Sequence, residues 1–152
     1  MTVWVPLAIA IVAAGFDLRS REIPDSLSVG ALVGGLSAAA FGWTSVPLDS
    51  AASSVVVIFV VAMLFAWRGG FGGGDVKLLA GLAAWLPLAG GFALLFWTAI
   101  LGAGLSIVAA VREKSSLAYG PAIAAGFAVA ALLPGALPGL ILAIQHLAGV
   151  SR

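Results

Sequence analysis

The chain has 152 residues, of which 62% are hydrophobic and 9% are charged, and its mean hydropathy is +1.20. A soluble domain carries about 25% charged residues, so this composition excludes an ordinary soluble domain and predicts one integral-membrane domain, residues 1–152, in contact with the lipid bilayer. The net charge of +1 is spread along the chain, which argues against nucleic-acid binding. The absence of cysteine excludes disulfides and thiolate ligands, and the single histidine, His146, cannot by itself build a metal site, so neither a metal nor a cofactor is expected.

Six apolar segments predict membrane helices, because roughly 20 helical residues cross about 30 Å of hydrocarbon and shorter segments are tolerated where the bilayer thins. They cover residues 2–17, 26–43, 51–67, 76–90 and 91–111, and a sixth begins near Gly120. The first is expected to be a retained helix rather than a secretory signal, because no basic region precedes it. Pro134 and Pro138 interrupt the last segment, so residues 140–148 either form an extra short C-terminal helix on the outer surface or continue a kinked sixth helix. The predicted fold is therefore an all-α polytopic membrane bundle of about six transmembrane helices.

Basic residues fall in alternate connections of this bundle. Loops rich in Lys and Arg stay in the cytoplasm, so these connections are predicted to be cytoplasmic and the N-terminus to lie outside. The basic connections follow the first, third and fifth helices and contain Arg19 and Arg21, then Arg68 and Lys77, then Arg112 and Lys114. The sequence thus predicts a protein of the cytoplasmic (inner) membrane.

Two of the six acidic residues lie at the cytoplasmic ends of apolar segments. Asp17 ends the first predicted helix and Asp75 precedes the fourth, so ordinary helix packing can bring them together at the membrane boundary. Acids at membrane depth are costly, which makes them candidates for function. Two close carboxylates share a proton, and such a pair can act as general base and general acid on water. Taken singly, each could equally cap a helix or pair with a nearby arginine.

A glycine run leads into Asp75. Residues 69–77 read Gly-Gly-Phe-Gly-Gly-Gly-Asp-Val-Lys, and glycine lets a backbone turn sharply and lets another chain come close. The run lacks the Gly-Lys-Ser/Thr of a P-loop and the third glycine of a dinucleotide-binding fingerprint. We interpret Gly72, Gly73 and Gly74 as the place where an extended peptide lies beside Asp75. The alternative is a flexible hinge that holds Asp75 away from Asp17 until substrate arrives.

Three segments together resemble the signatures of a known family. They are Asp17-Leu-Arg-Ser-Arg-Glu-Ile-Pro-Asp25, Gly72-Gly-Gly-Asp-Val-Lys-Leu-Leu79 and Tyr119-Gly-Pro-Ala-Ile-Ala124. In combination and order they are similar to the type IV prepilin peptidases, and to the short form that serves Tad/Flp-type pili. The resemblance implies a GxGD-type membrane aspartic endopeptidase in which Asp17 and Asp75 form the catalytic dyad. It also implies prepilin substrates, whose short basic leader is removed at the cytoplasmic face, with pilus or secretion assembly components as further partners.

Other residues of these motifs are expected to bind substrate or support the dyad, namely Gly72, Gly73, Gly74, Lys77, Pro24, Asp25, Tyr119 and Pro121. Asp25 stands where the family commonly has asparagine, and we expect it to cap the second helix. Lys77 is interpreted as a topology signal or a contact for substrate or lipid. Tyr119 and Pro121 are expected to shape the cytoplasmic opening. Larger family members carry an N-terminal region with paired cysteines associated with methylation, so we expect peptidase activity without methyl transfer here.

Two other functions are left open by the residues alone. A small ion- or proton-coupled transporter component would use Asp17 and Asp75 as ion sites, although such sites usually lie near the membrane midplane between inverted repeats. A structural assembly protein of a secretion system would use the two acids only as helix caps.

Overall fold

The computed structural model describes residues 3–111, 118–135 and 138–139, and in these residues the chain forms six helices and no strand. The helices are α1 (Trp4–Ser20), α2 (Asp25–Ala40), α3 (Leu48–Trp67), α4 (Gly73–Ala83), α5 (Leu88–Val111) and α6 (Gly120–Leu132). The prediction of an all-α bundle is confirmed. The expectations that fall outside the described residues concern Thr2, the connection with Arg112 and Lys114, the 140–148 segment and His146.

Helix length separates α4 from its neighbours. Within the described residues, α3 and α5 are long and apolar enough to cross a membrane, and α2 and α6 are shorter apolar helices. With 11 residues, α4 is about 16 Å long, which is half of a hydrocarbon core. It ends at Ala83, short of the predicted Gly90. Pro87 explains the early end, because proline lacks a backbone N–H and disfavours a helical conformation in the residue before it.

The short helix α4 forms the centre of the bundle. Its residues from Leu78 to Ala83 are all buried, and it contacts each of the other five helices. Around it, α6 packs against α1 and α5, and α3 packs against α5. The helix that follows the glycine run is therefore held on several sides, which fixes the position of Asp75 in its first turn.

Helices α2 and α4 approach each other closely. A Cβ on Gly81 would lie 2.6 Å from the carbonyl oxygen of Ser28, and a Cβ on Gly35 would lie 2.6 Å from the Cβ of Ala84. No side chain larger than hydrogen fits at these distances, so glycine lets the two backbones meet. This contact seats the start of α2 beside the start of α4, where the acidic motifs are.

The two ends of the bundle differ in charge. One end holds the α1–α2 connection, the end of α3 and the start of α4, and it carries Arg19, Arg21, Arg68 and Lys77. The opposite end holds the connections 41–47 and 84–87, which carry no basic residue. We call the first the basic end, and it is the end that the sequence assigns to the cytoplasm.

Candidate active site

Asp17 lies in the last turn of α1, which continues to Ser20, past the predicted end of the helix. Its side chain is buried, with 7% of the residue exposed. The N–H of Gly120 donates a hydrogen bond to Asp17 Oδ2 at 2.6 Å. Arg21 ends the helix in a left-handed conformation (φ 57°), and its N–H donates to the carbonyl oxygen of Asp17. Both the helix end and the start of α6 therefore hold this acid in place.

Gly120 is the site residue that the sequence interpretation missed. A Cβ at this position would lie 2.8 Å from the Cβ of Asp17 and 3.0 Å from the Cα of Ala14. Only glycine lets α6 come close enough to donate its first N–H to the carboxylate. The available signal was a glycine directly before Pro121, since proline is favoured in the first turn of a helix and places the preceding residue at its start.

Asp75 occupies the first turn of α4 and is 8% exposed. The N–H of Gly72, the residue before the helix, donates to Asp75 Oδ2 at 2.9 Å. This is half of a capping box, and a carboxylate in the first turn also suits the helix dipole. Gly73 and Gly74 are the first residues of the helix rather than part of a loose hinge.

Both acids face one cavity at the basic end. Its volume is about 310 Å³. It is lined by Asp17, Arg21, Glu22, Ile23, Asp25, Gly72, Gly73, Gly74 and Asp75. Each of the two buried acids has one oxygen bonded to a glycine N–H, and within the described residues the other oxygen, Oδ1, accepts no hydrogen bond. A larger cavity of about 390 Å³ lies at the opposite end and has no acid in its wall.

The charge of Asp75 depends on its surroundings. Asp75 precedes the apolar segment that begins at Val76, at the basic end of the bundle. Burial raises the pKa of its carboxyl, the N–H of Gly72 lowers it, and the negative charge of Asp17 raises it further. The net direction is upward, so Asp75 keeps its proton to a higher pH than an ordinary aspartate does.

An ion pair lies at the rim of the cavity. Lys77 Nζ is 2.8 Å from Oδ1 and 2.9 Å from Oδ2 of Asp25, and both side chains are more than half exposed. Asp25 is the first residue of α2, and its side chain makes no capping hydrogen bond. The expectation that Asp25 caps the second helix is therefore wrong, because the ammonium group from α4 holds the carboxylate instead.

Four of the predicted supporting residues stand outside the cavity wall, namely Pro24, Lys77, Tyr119 and Pro121. Pro24 directly precedes α2, and Pro121 lies in the first turn of α6. Tyr119 packs its ring against Gly102 of α5, where a Cβ would lie 2.5 Å from Tyr119 Cε1. The remaining predicted residues, Asp25 and the three glycines, do line the cavity with the two acids.

A metal site does not accompany the acids in the described part of the chain. No group of three or more His, Cys, Asp or Glu side chains there is arranged to hold a metal ion. The chemistry that the cavity offers is that of two buried carboxylates, each oriented by a backbone N–H, with three glycines in the same cavity wall.

The known proteins and the family model that match this chain are all described as leader peptidases. The family described as the type IV leader peptidase family matches residues 4–107. A prepilin leader peptidase/N-methyltransferase of Neisseria gonorrhoeae is 32% identical over 114 residues, which cover 70% of this chain and 40% of that protein. A protein with the same description from Burkholderia pseudomallei strain 1026b is 31% identical over 130 residues, covering 78% of this chain and 42% of that protein. The chain thus spans about two fifths of the length of these relatives. No solved structure gives a match.

Proposed function

Because the chain belongs to the type IV leader peptidase family, we propose that it is a membrane aspartic endopeptidase that removes the short basic leader from type IV prepilins of the Flp class. One observation carries the proposal: Asp17 and Asp75 are the two buried charged residues of the described chain, and they line the same cavity. The other described acids, Glu22, Asp25 and Asp49, are exposed. Burying two carboxylates costs free energy, and a purely structural role provides no function that would account for this cost.

The two acids have different roles in the proposed reaction. Asp75 is the proton donor, because burial and the charge of Asp17 raise the pKa of its carboxyl. Asp17 is the general base and takes a proton from a water molecule as that water attacks the scissile carbonyl carbon. Asp75 gives its proton to the developing oxyanion. As the C–N bond of the tetrahedral intermediate breaks, Asp17 gives its proton to the leaving amine and a hydroxyl of the intermediate returns a proton to Asp75. The two carboxyl groups end with one shared proton, as they began.

The glycine wall is the proposed seat of the substrate backbone. A Cβ on Gly73 would meet no atom within 4 Å, so packing inside the protein does not require glycine at this position. A side chain there would instead occupy cavity space beside Asp75. We infer that the glycine at this position is kept for the peptide that binds, which would lie extended along residues 72–74.

The charge of the cavity fits the basic leader of such a substrate. Asp17, Glu22 and Asp25 contribute carboxylates to its wall, of which that of Asp25 is paired with Lys77, and Arg21 contributes one guanidinium. The cavity lies at the basic end, which the distribution of Arg and Lys assigns to the cytoplasm. The proposed site of cleavage is therefore the cytoplasmic face of the inner membrane, with prepilins and the assembly components they join as partners.

Leader removal in cells tests the proposal. The chain is co-expressed with a candidate Flp-type prepilin, and the mass of the prepilin is followed for the wild type, Asp17→Asn, Asp75→Asn and Asp49→Asn. Asp49 is an exposed acid in the first turn of α3, at the opposite end of the bundle, so its variant is the matched control. We expect processing by the wild type and by Asp49→Asn, and a loss of about 10³-fold or more in each of the other two.

Normal processing by Asp17→Asn or Asp75→Asn would contradict the proposal that the two acids form a catalytic dyad. An assembly protein that uses its acids only as caps would leave the prepilin uncleaved in every strain, the wild type included. An ion-coupled transporter would also leave the prepilin uncleaved. Cleavage in the wild-type strain therefore distinguishes the proposed peptidase from both alternatives.

A further inference from the structure

Two aromatic rings meet beside the backbone segments that hold the two acids. The ring centroids of Phe71 and Tyr119 are 5.5 Å apart, and the ring planes cross at 82°. In sequence, Phe71 is the residue before Gly72, and Tyr119 is the residue before Gly120. These two glycines are the ones whose N–H groups donate to the two buried carboxylates. The ring contact therefore joins the two backbone segments that orient the acids.

We propose that this contact, the aromatic clasp of Phe71 and Tyr119, sets the separation of the two carboxylates and so positions them for cleavage. The inference rests on the proposed function, because the separation matters only if the acids act on one bond. Neither ring lines the cavity. Both are positioning residues, which act through the glycine that follows each of them.

The Tyr119 side of the clasp is fixed by α5. Its ring lies against Gly102, where any Cβ would clash with it. Its hydroxyl is 3.5 Å from Ser106 Oγ, and Ser106 in turn donates to the carbonyl oxygen of Gly102 at 2.8 Å. The contact of the ring with Gly102, which does not involve the hydroxyl, sets the ring position, and the start of α6 follows it.

The Phe71 side anchors the glycine run that leads into α4. Residues 69–74 contain five glycines, and Phe71 supplies the one side chain of this run. Its ring packs against the core and has its edge toward Phe65 of α3, with ring centroids 6.2 Å apart. Glycine backbones have more conformational freedom than any other, so the position of Gly72 depends on the ring beside it.

Leader cleavage by purified protein in lipid vesicles tests the clasp, with kcat and KM measured separately. We expect Tyr119→Leu and Phe71→Leu each to lower kcat by about 10- to 100-fold, because misplaced groups slow chemistry. Tyr119→Leu is expected to leave KM nearly unchanged, because Gly120 is not part of the wall that binds the peptide. The double variant is expected to be no slower than the slower single variant, since both remove the same contact. Tyr119→Phe keeps the ring and is expected to keep kcat.

Phe96→Leu is the matched control. Phe96 and Trp97 have the same geometry as the clasp, 5.5 Å and 80°, but adjoin neither glycine, so this variant is expected to keep kcat. The clasp is refuted if the leucine variants keep kcat, if Tyr119→Phe loses as much as Tyr119→Leu, or if only KM changes. Should Phe71→Leu fail to fold in a thermal melt, the comparison of Tyr119→Phe with Tyr119→Leu still decides.

Asp17→Asn and Asp75→Asn are assayed in parallel. If either of them cleaves normally, the proposed function fails, and the clasp fails with it. If both are inactive while the leucine variants keep full kcat, only the clasp fails.

Discussion

Asp75 stands among more negative than positive charge. Asp17 faces it from α1, and Glu22 and Asp25 share its cavity from the α1–α2 connection and the start of α2, against the single guanidinium of Arg21. Burial is the largest cause of the raised pKa of Asp75, and the charge of Asp17 adds to it. The ionised form of Asp75 is thereby disfavoured, which is the property that a proton donor needs. The same effect means that ionisation of Asp75 lowers the stability of the fold.

Replacing Asp75 with asparagine should remove this loss of stability. A group whose pKa is raised by folding stabilises the fold fully below its unfolded pKa, and this contribution is lost as the pH rises through the folded pKa. The wild type loses this contribution progressively as the pH rises, whereas Asp75→Asn has no charge to bury at any pH and can still accept the N–H of Gly72. We expect thermal unfolding in detergent at pH 7 to give Asp75→Asn a Tm at or above that of the wild type, with the difference shrinking toward pH 4. A Tm clearly below the wild type at pH 7 contradicts this account of Asp75.

The contact between Gly120 and Asp17 is one that the motif residues do not predict. The flanking residues Tyr119 and Pro121 have side chains to which a role can be given, and the sequence interpretation named them. The contact with Asp17 is made by a backbone N–H, and it exists because α6 approaches α1 within the distance at which a Cβ clashes. That distance belongs to the tertiary structure, so the Gly120-Pro121 pair predicts a helix start but not the contact with Asp17.

At the scale of helices, hydropathy predicted which segments are helical better than it predicted where those helices begin and end. α3 ends at Trp67 and α5 ends at Val111, as predicted, whereas α1 continues past Asp17 and α4 stops well before Gly90. The apolar pattern tracks burial, and residues 84–87 are apolar without being helical. The structure thus makes α4 a half-length central helix, where the sequence predicted a short crossing one.

Capping and packing depend on partners far along the chain. Asp25 is an acceptable N-terminal cap by residue type, yet its carboxylate binds Lys77, which lies 52 residues away. Gly81 meets the backbone of α2, while Gly30 has no atom near its missing side chain. Residue type alone does not separate these glycines, because the difference lies in which helix packs beside them.

At the scale of the whole molecule, antiparallel helices bring three separate motifs to one end. The end of α1, the start of α4 and the start of α6 meet there, and so do the described basic residues Arg19, Arg21, Arg68 and Lys77. The sequence predicted this convergence, because charge patterning fixes which ends share a side of the membrane. A single orientation then places every part of the proposed site in one compartment.

Cysteine labelling tests that orientation, and the chain has no native cysteine to interfere. Ser20 is exposed at the basic end and Ser45 is exposed at the opposite end, so Ser20→Cys and Ser45→Cys form a matched pair. With a membrane-impermeant maleimide on intact cells, we expect Ser45→Cys to react and Ser20→Cys to react only after permeabilisation. Labelling of Ser20→Cys in intact cells means that the cavity opens outside.

The central claim is that Asp17 and Asp75 of one chain act together on one peptide bond. Its most direct test mixes purified Asp17→Asn with purified Asp75→Asn in the same lipid vesicles and measures prepilin leader cleavage. Since the two acids line a cavity within a single chain, we expect the mixture to be as inactive as either variant alone, while wild-type protein at the same total concentration cleaves. Cleavage by the mixture, or by either variant alone, would contradict the claim.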